Sequence, residues 1–409
     1  MSLAGRSPTG VVLALGTAQT LAWASSYYLP AMLAAPMARD LGVRTPTVFA
    51  VFSMALILSA LVGPAAGRLI DRHGGRPLLI ATNLLFAAGL ALLGSAQGLA
   101  TLIAAWGLLG LAMGAGLYEA AFAALVRLYG HQSRNAITGI TLLAGFASTV
   151  GWPLSAWLET QVGWRGACYT WAALHLLLGL PLNAWLPRAA APQAPEADEG
   201  TASPPSPTAA APAAARPAAV TAHRLRFSPD VTAALLSVVF MCTWFVSTAM
   251  AAHLPTLMQA AGGTLALAVL AGALIGPAQV AGRLAEFGVL RRYSPLAVTR
   301  GATLTHPLGA LALWALGAPT AAVAFAILHG LGNGIMTIAK GTLPLALFGP
   351  AGYGARQGWI ALPGRALQGL APWLFGLALE RWGAGALGLS AALGLAAFAI
   401  LMLLRLPRD

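Results

Sequence analysis

The stretch Gly67-Arg68-Leu69-Ile70-Asp71-Arg72-His73-Gly74-Gly75-Arg76 joins two apolar runs, roughly Pro46 to Leu69 and Pro77 to Ala96. Each run holds about 20 residues, which as helix crosses about 30 Å of hydrocarbon. The link is too short to be a domain, so its charges must lie in water at one membrane face. A short basic loop predicts the cytoplasmic side. Apolar runs of this length recur along the chain and leave no soluble alternative.

Composition agrees. Apolar residues make up 58% of the chain and charged residues only 8%, against about 25% in an ordinary soluble domain. The net charge of +12 does not point to nucleic acid, because no basic stripe interleaved with aromatics accompanies it. The arginines instead collect at loops on one side of the threading, such as Arg68, Arg72, Arg76, Arg134, Arg188, Arg291 and Arg292, while Arg39, Arg44, Arg165 and Arg381 fall on the other. That bias predicts a multi-pass protein of the cell inner (cytoplasmic) membrane with both termini cytoplasmic. Cys168 and Cys242 lie inside apolar runs, which speaks against a disulfide framework or a zinc site.

Twelve transmembrane helices are expected, near 11–37, 46–70, 77–96, 99–128, 136–160, 165–186, 229–260, 264–290, 296–316, 319–347, 355–380 and 384–405. Between the sixth and seventh, Ala, Pro and Ser dominate and apolar periodicity is missing, so no core can form there. The chain is thus expected to comprise an N-terminal half (1–186), a disordered cytoplasmic linker (187–228) and a C-terminal half (229–409).

The loop Gly67-x-x-x-Asp71-Arg72-x-Gly74-x-Arg76 resembles the signature between helices 2 and 3 of the major facilitator superfamily. A degenerate copy, Gly282-Arg283-Leu284-Ala285-Glu286, stands 215 residues later. Gly114 and Gly116 reappear as Gly332 and Gly334 at an offset of 218, and Gly139, Gly145 and Pro153 as Gly358, Gly364 and Pro372 at 219. The resemblance implies an all-α membrane fold of two pseudo-symmetric six-helix halves, with helices 1, 4, 7 and 10 lining a central cavity. It also implies that Asp71 and the adjoining Arg72 latch the halves on the cytoplasmic side. Arg127, near the cytoplasmic end of helix 4, is the expected partner for Asp71.

Charges at membrane depth cost about 2.5–3.5 kcal/mol on insertion scales, so each needs a reason. Glu119, in helix 4, is expected to be the only carboxylate far from a helix end, and reads as a proton or solute site or as a structural acid. Lys340 is the single lysine among 23 basic residues, which suggests that a compact, titratable amine is wanted there; the alternative is a lysine snorkelling to the surface. Arg365 in helix 11 divides between binding an anion and pairing structurally. Tyr27, Tyr28 and Gln19 on helix 1, Trp244 and His253 on helix 7 and Asn333 on helix 10 are further candidates to touch solute, or to bond between helices. His175, His306 and His329 lack ligand spacing, and metal binding is not expected.

These features predict a secondary transporter moving a small organic solute, with an organic anion favoured by the buried cations, through alternating access coupled to protons. The lipid bilayer is its partner, nucleic acid is not, and a monomer is expected to suffice. No nucleotide-binding loop, zinc-protease motif or nucleophile elbow is present, so neither ATP nor an enzyme's cofactor is expected. Efflux of a toxic compound is the rival reading. Gly145-Phe146-Ala147-Ser148-Thr149-Val150-Gly151-Trp152-Pro153 resembles in part the Gly-Pro element of drug/proton antiporters, but Trp152 interrupts it.

Overall fold

A computed structural model describes residues 7–129, 133–188, 227–348 and 353–406. All regular structure among the described residues is helical. The first nine helices are α1 (Pro8–Ser25), α2 (Leu29–Asp40), α3 (Thr45–His73), α4 (Gly75–Gly94), α5 (Leu99–Gly116), α6 (Tyr118–Tyr129), α7 (Ser133–Ala144), α8 (Ala147–Leu174) and α9 (Leu180–Trp185). A π-helical turn, His175–Gly179, joins α8 to α9. The others are α10 (Pro229–Ala260), α11 (Leu265–Phe287), α12 (Pro295–Leu316), α13 (Ala318–Phe348), α14 (Tyr353–Trp382) and α15 (Ala386–Leu403).

Among the described residues, eight stretches are long and apolar enough to cross a membrane. Two of them, Ala136–Trp185 with 50 residues and Trp359–Leu403 with 45, turn back midway at Gly163 and Gly383, both of which hold positive φ. The Trp171 indole accordingly donates to Ser155 across the Gly163 bend, at 3.1 Å. The interrupted pair α1–α2 and the more polar α12 complete twelve crossings. Most of the expected linker, residues 189–226, lies outside the described residues.

Close approach of helices through small residues holds each half together, as expected where lipid removes the hydrophobic drive between helices. On α5, Gly110 and Gly114 press against the α3 backbone at Ala55 and Ser59. On α13, Gly330 and Gly334 press against α11 at Ile275 and Gln279. All four residues of the second contact stand 220 positions after those of the first. This corrects the register read from glycines alone, which pairs Gly114 with Gly332. The counterpart of Glu119 becomes Ala339, directly beside Lys340, rather than Thr337.

The halves meet along two seams. On one, the Ser53 hydroxyl oxygen of α3 accepts from the Trp373 amide of α14 at 3.2 Å. On the other, the Thr149 hydroxyl of α8 donates to the Ala273 carbonyl of α11 at 2.7 Å. Ser53 and Ala273 are again 220 apart, so the seams are pseudo-equivalent. At the end of the bundle remote from the Gly67–Arg76 turn, Arg44 pairs with Glu380 across the halves. Toward the turn a cavity opens between α3 and α14 at Gly63 and Pro64, and among the described residues no atom lies close to the faces of Gly63 and Gly67. The bundle is shut at the remote end and splayed on this side at the turn end.

Candidate functional site

Three of the crossings in the first half are broken at mid-depth. α1 gives way to α2 at Ser26–Tyr28, α5 to α6 at Leu117, and α7 to α8 at Gly145–Phe146. Broken backbone inside a membrane survives only where something replaces the lost bonds. At Leu117 the replacement is Gln19, whose amide donates to the Gly116 carbonyl at 2.7 Å from a position 1% exposed. Gln19 therefore holds the backbone and does not face solute. The break also corrects the reading of Glu119, which lies in the first turn of α6, at the positive end of that helix's dipole, rather than far from a helix end. Gly114 and Gly116 both pack tightly against neighbours, and glycine lowers the cost of leaving helical geometry between them and Leu117. The Glu119 side chain itself lies outside the described residues.

Between the halves lies a cavity of about 570 Å³, within the usual range for small-molecule sites. The first half contributes rings to its wall: Trp23, Tyr27, Tyr28, Tyr118, Phe122 and Trp152. The second half contributes polar groups, chiefly Gln279, Arg283, Asn333, Lys340, Arg365 and Gln368. A neighbouring cavity of about 340 Å³ between α3 and α14 shares Trp23, Tyr27, Arg365 and Gln368 and reaches Gly63 and Pro64. The site is thus continuous with the splayed seam.

Lys340 does not snorkel to the surface. Its ammonium lies over the Trp244 ring, 4.7 Å from the centroid, and both residues line the cavity. Trp244 leans on Gly364, where any side chain would collide with the indole. That fit sets Trp244 beside Arg365. Tyr27 closes the remote end: its hydroxyl donates to Thr248 at 2.9 Å, across the halves. Tyr28 contributes its carbonyl to the Trp152 indole N–H at 3.2 Å.

His253 is not a cavity residue. It is 1% exposed, bonded through Nε2 to the Pro372 carbonyl at 2.6 Å and packed 3.9 Å from the Phe49 ring centroid. Its polarity serves the joint between α10 and α14 and the closed seam beside it.

Arg283 is the principal residue that sequence reasoning missed. It falls inside α11, is 8% exposed, and donates from Nη1 to the Thr141 carbonyl of the opposite half at 2.7 Å. Its Nε has no partner among the described residues. The motif places Arg283 in a repeated loop, yet Ile275, Gln279 and Arg283 follow one another at helical spacing along the cavity wall. That periodicity was the available signal.

The loop residues remain at the turn end. Gly74 takes φ 82°, ψ 163°, which only glycine adopts easily, and ends α3 so that α4 can begin. Gly75 presses on Ala124 of α6, one helical turn before Arg127. Arg72 is exposed and Arg76 half-buried. Among the described residues, nothing lies close to the face of Gly67. The Asp71 side chain lies outside the described residues. His306 and His329, scattered in sequence, share a bond between their Nδ1 atoms at 3.0 Å, but no group of three metal-ligating side chains occurs among the described residues.

Twelve crossings in two repeats around a cavity between the halves define a carrier-type membrane protein. The chain belongs to the Major Facilitator Superfamily, whose family model matches residues 15–316. No curated protein matches the sequence. Among solved structures, a mutant form of the nucleoside transporter NupG is similar at TM-score 0.73 and 13% identity, covering 96% of this chain and 99% of its own. A bacterial homologue of the human lysosomal transporter Spinster, in an inward-facing and occupied conformation, is similar at TM-score 0.65 and 15% identity, covering 98% and 95%. These likenesses concern the fold.

Proposed function

We propose that this chain is a proton-coupled secondary carrier of a small organic anion in the cytoplasmic membrane. The observation that carries the reading is the cavity between the halves, where Arg283, Lys340 and Arg365 converge. Three basic groups against one intramembrane carboxylate, Glu119, leave this region attractive to anions even with Glu119 ionised. With the Gly67–Arg76 turn and both termini in the cytoplasm, the splayed seam admits solute from inside, and the Tyr27–Thr248 and Ser53–Trp373 contacts form the external gate. Rocking the 1–186 half against the 229–409 half around the cavity, with residues 187–228 as the tether, exchanges one gate for the other.

Glu119 is the coupling group in this reading. Its place at a helix start beside the cavity ring Tyr118 lets it hold charge in one state and a proton in the other. Exchange of labelled organic acids across proteoliposomes, with and without an imposed pH gradient, tests the proposal. Exchange without any acceleration by the gradient would leave a uniporter. Exchange of cationic or neutral solutes alone would end the anion reading.

A further inference from the structure

The two walls of the cavity are chemically unlike. On the first-half wall, Trp23 and Tyr118 lie 4.9 Å apart between ring centroids, Tyr118 stacks on Phe122 at 5.2 Å and 14°, and Trp23 meets Tyr27 edge-on at 5.0 Å. Aliphatic side chains would exclude water equally well. A connected set of rings adds preference for a flat π-system, worth about 2- to 12-fold in affinity beyond burial. The opposite wall carries the cations.

Two buried donors on these walls have no partner among the described residues: the Trp23 indole N–H and Arg283 Nε. Arg283 is the more demanding, because it is a nine-tenths buried guanidinium that meets, among the described residues, only neutral acceptors, the Thr141 carbonyl and the Tyr118 hydroxyl. It also lies within electrostatic reach of Lys340, another cation. A planar fork of this kind is completed by a carboxylate, which accepts two parallel N–H bonds. A dicarboxylate would need cations at both ends, and the described lining residues of the first half include none.

We propose that the solute is an aromatic monocarboxylate, its ring on the Trp23–Tyr118 wall and its carboxylate on Arg283. This rests on the reading of the chain as an organic-anion carrier. A carboxylate that takes Nε, the donor left without a partner among the described residues, leaves Nη1 on the Thr141 carbonyl, so solute completes the guanidinium without breaking that bond between the halves.

The test uses the full-length protein in nanodiscs, with benzoate, cyclohexanecarboxylate, benzyl alcohol and succinate as probes and thermal stabilisation as the readout. Benzoate should stabilise most, cyclohexanecarboxylate should bind several-fold more weakly, and benzyl alcohol and succinate should have little effect. Arg283→Gln should weaken benzoate about 10- to 100-fold, with Arg283→Lys showing that the site still folds. Trp23→Leu should erase the preference for benzoate over its saturated analogue. Equal binding of the two acids, with Trp23→Leu leaving their ratio unchanged, overturns the aromatic proposal while sparing the anion carrier. Stabilisation and counterflow by succinate alone overturns it in the same way. Stabilisation by benzyl alcohol without any acid overturns both.

Discussion

Gln19 and Gly116 sit 97 residues apart in sequence and meet at 2.7 Å, the amide of one capping the last carbonyl of α5 just where that helix breaks. The start of α6, with Tyr118 and Glu119, is therefore held in place by α1. Gln19→Leu keeps the volume nearly constant and removes the donor, leaving a buried carbonyl unsatisfied at a cost of about 1–3 kcal/mol. We expect a lower melting temperature in detergent and slower exchange in proteoliposomes. Unchanged stability would mean that the carbonyl finds another donor.

Asp71 and Arg127 are the expected members of a latch at the turn end. The packing of Gly75 on Ala124 brings the α3–α4 turn within one helical turn of Arg127. Asp71→Asn and Arg127→Ala should each slow transport with little loss of folded protein, and the double variant should be no worse than either single one. Additive losses in the initial rate of exchange would show two separate interactions.

His175 should behave as a purely structural residue. Fully buried, it lies 2.8 Å from the Ser25 hydroxyl and 2.9 Å from the Asn83 amide oxygen, and stacks on Phe86. Asn83 donates to the Leu79 carbonyl, which fixes its amide and leaves the oxygen to accept from His175 Nδ1. His175→Leu strands the buried Asn83 amide oxygen and leaves the Ser25 hydroxyl only its bond to the Ala22 carbonyl, and should cost about 2 kcal/mol, read as a loss of thermal stability. The residual activity should keep the wild-type dependence on pH; a displaced pH profile would give His175 a part in coupling.

Glu119→Gln should abolish accumulation driven by a pH gradient while sparing solute exchange, because the amide imitates only the protonated carboxyl. Uptake and counterflow measured on the same vesicles separate the two effects. Full gradient-driven uptake by the variant would remove Glu119 from the proton pathway.

The architecture was legible because lipid permits so few solutions: apolar runs of spanning length, basic loops and a ten-residue signature already define an all-helical carrier bundle. The breaks were not, since Gly114 and Gly116 look the same whether glycine serves close packing or interruption, and only the carbonyl caught by Gln19 distinguishes them. Tyr27, Tyr28, Trp244, Asn333, Lys340 and Arg365 stand out in sequence as polar or amphipathic groups at membrane depth, and all line the cavity. Depth alone also singles out His253, which spends its polarity on a helix joint. Arg283 escapes notice because a repeated loop motif masks the helical period running through it.

Lys340 offers the most discriminating substitution. Its ammonium stands over the Trp244 ring, and that indole is seated on Gly364 beside Arg365, so the charge occupies a site shaped for a compact head group. Lys340→Arg preserves the charge but brings a wider planar fork into the same space. Lys340→Met keeps most of the volume and removes the charge. If position and compactness both matter, the arginine variant should lose several-fold in initial exchange rate and the methionine variant more, with both reaching the membrane in normal amount. Trp244→Leu should act in the same direction as Lys340→Arg, since losing the ring removes about 0.5–2 kcal/mol of cation–π attraction. Wild-type exchange by Lys340→Arg would show that any cation suffices at this position.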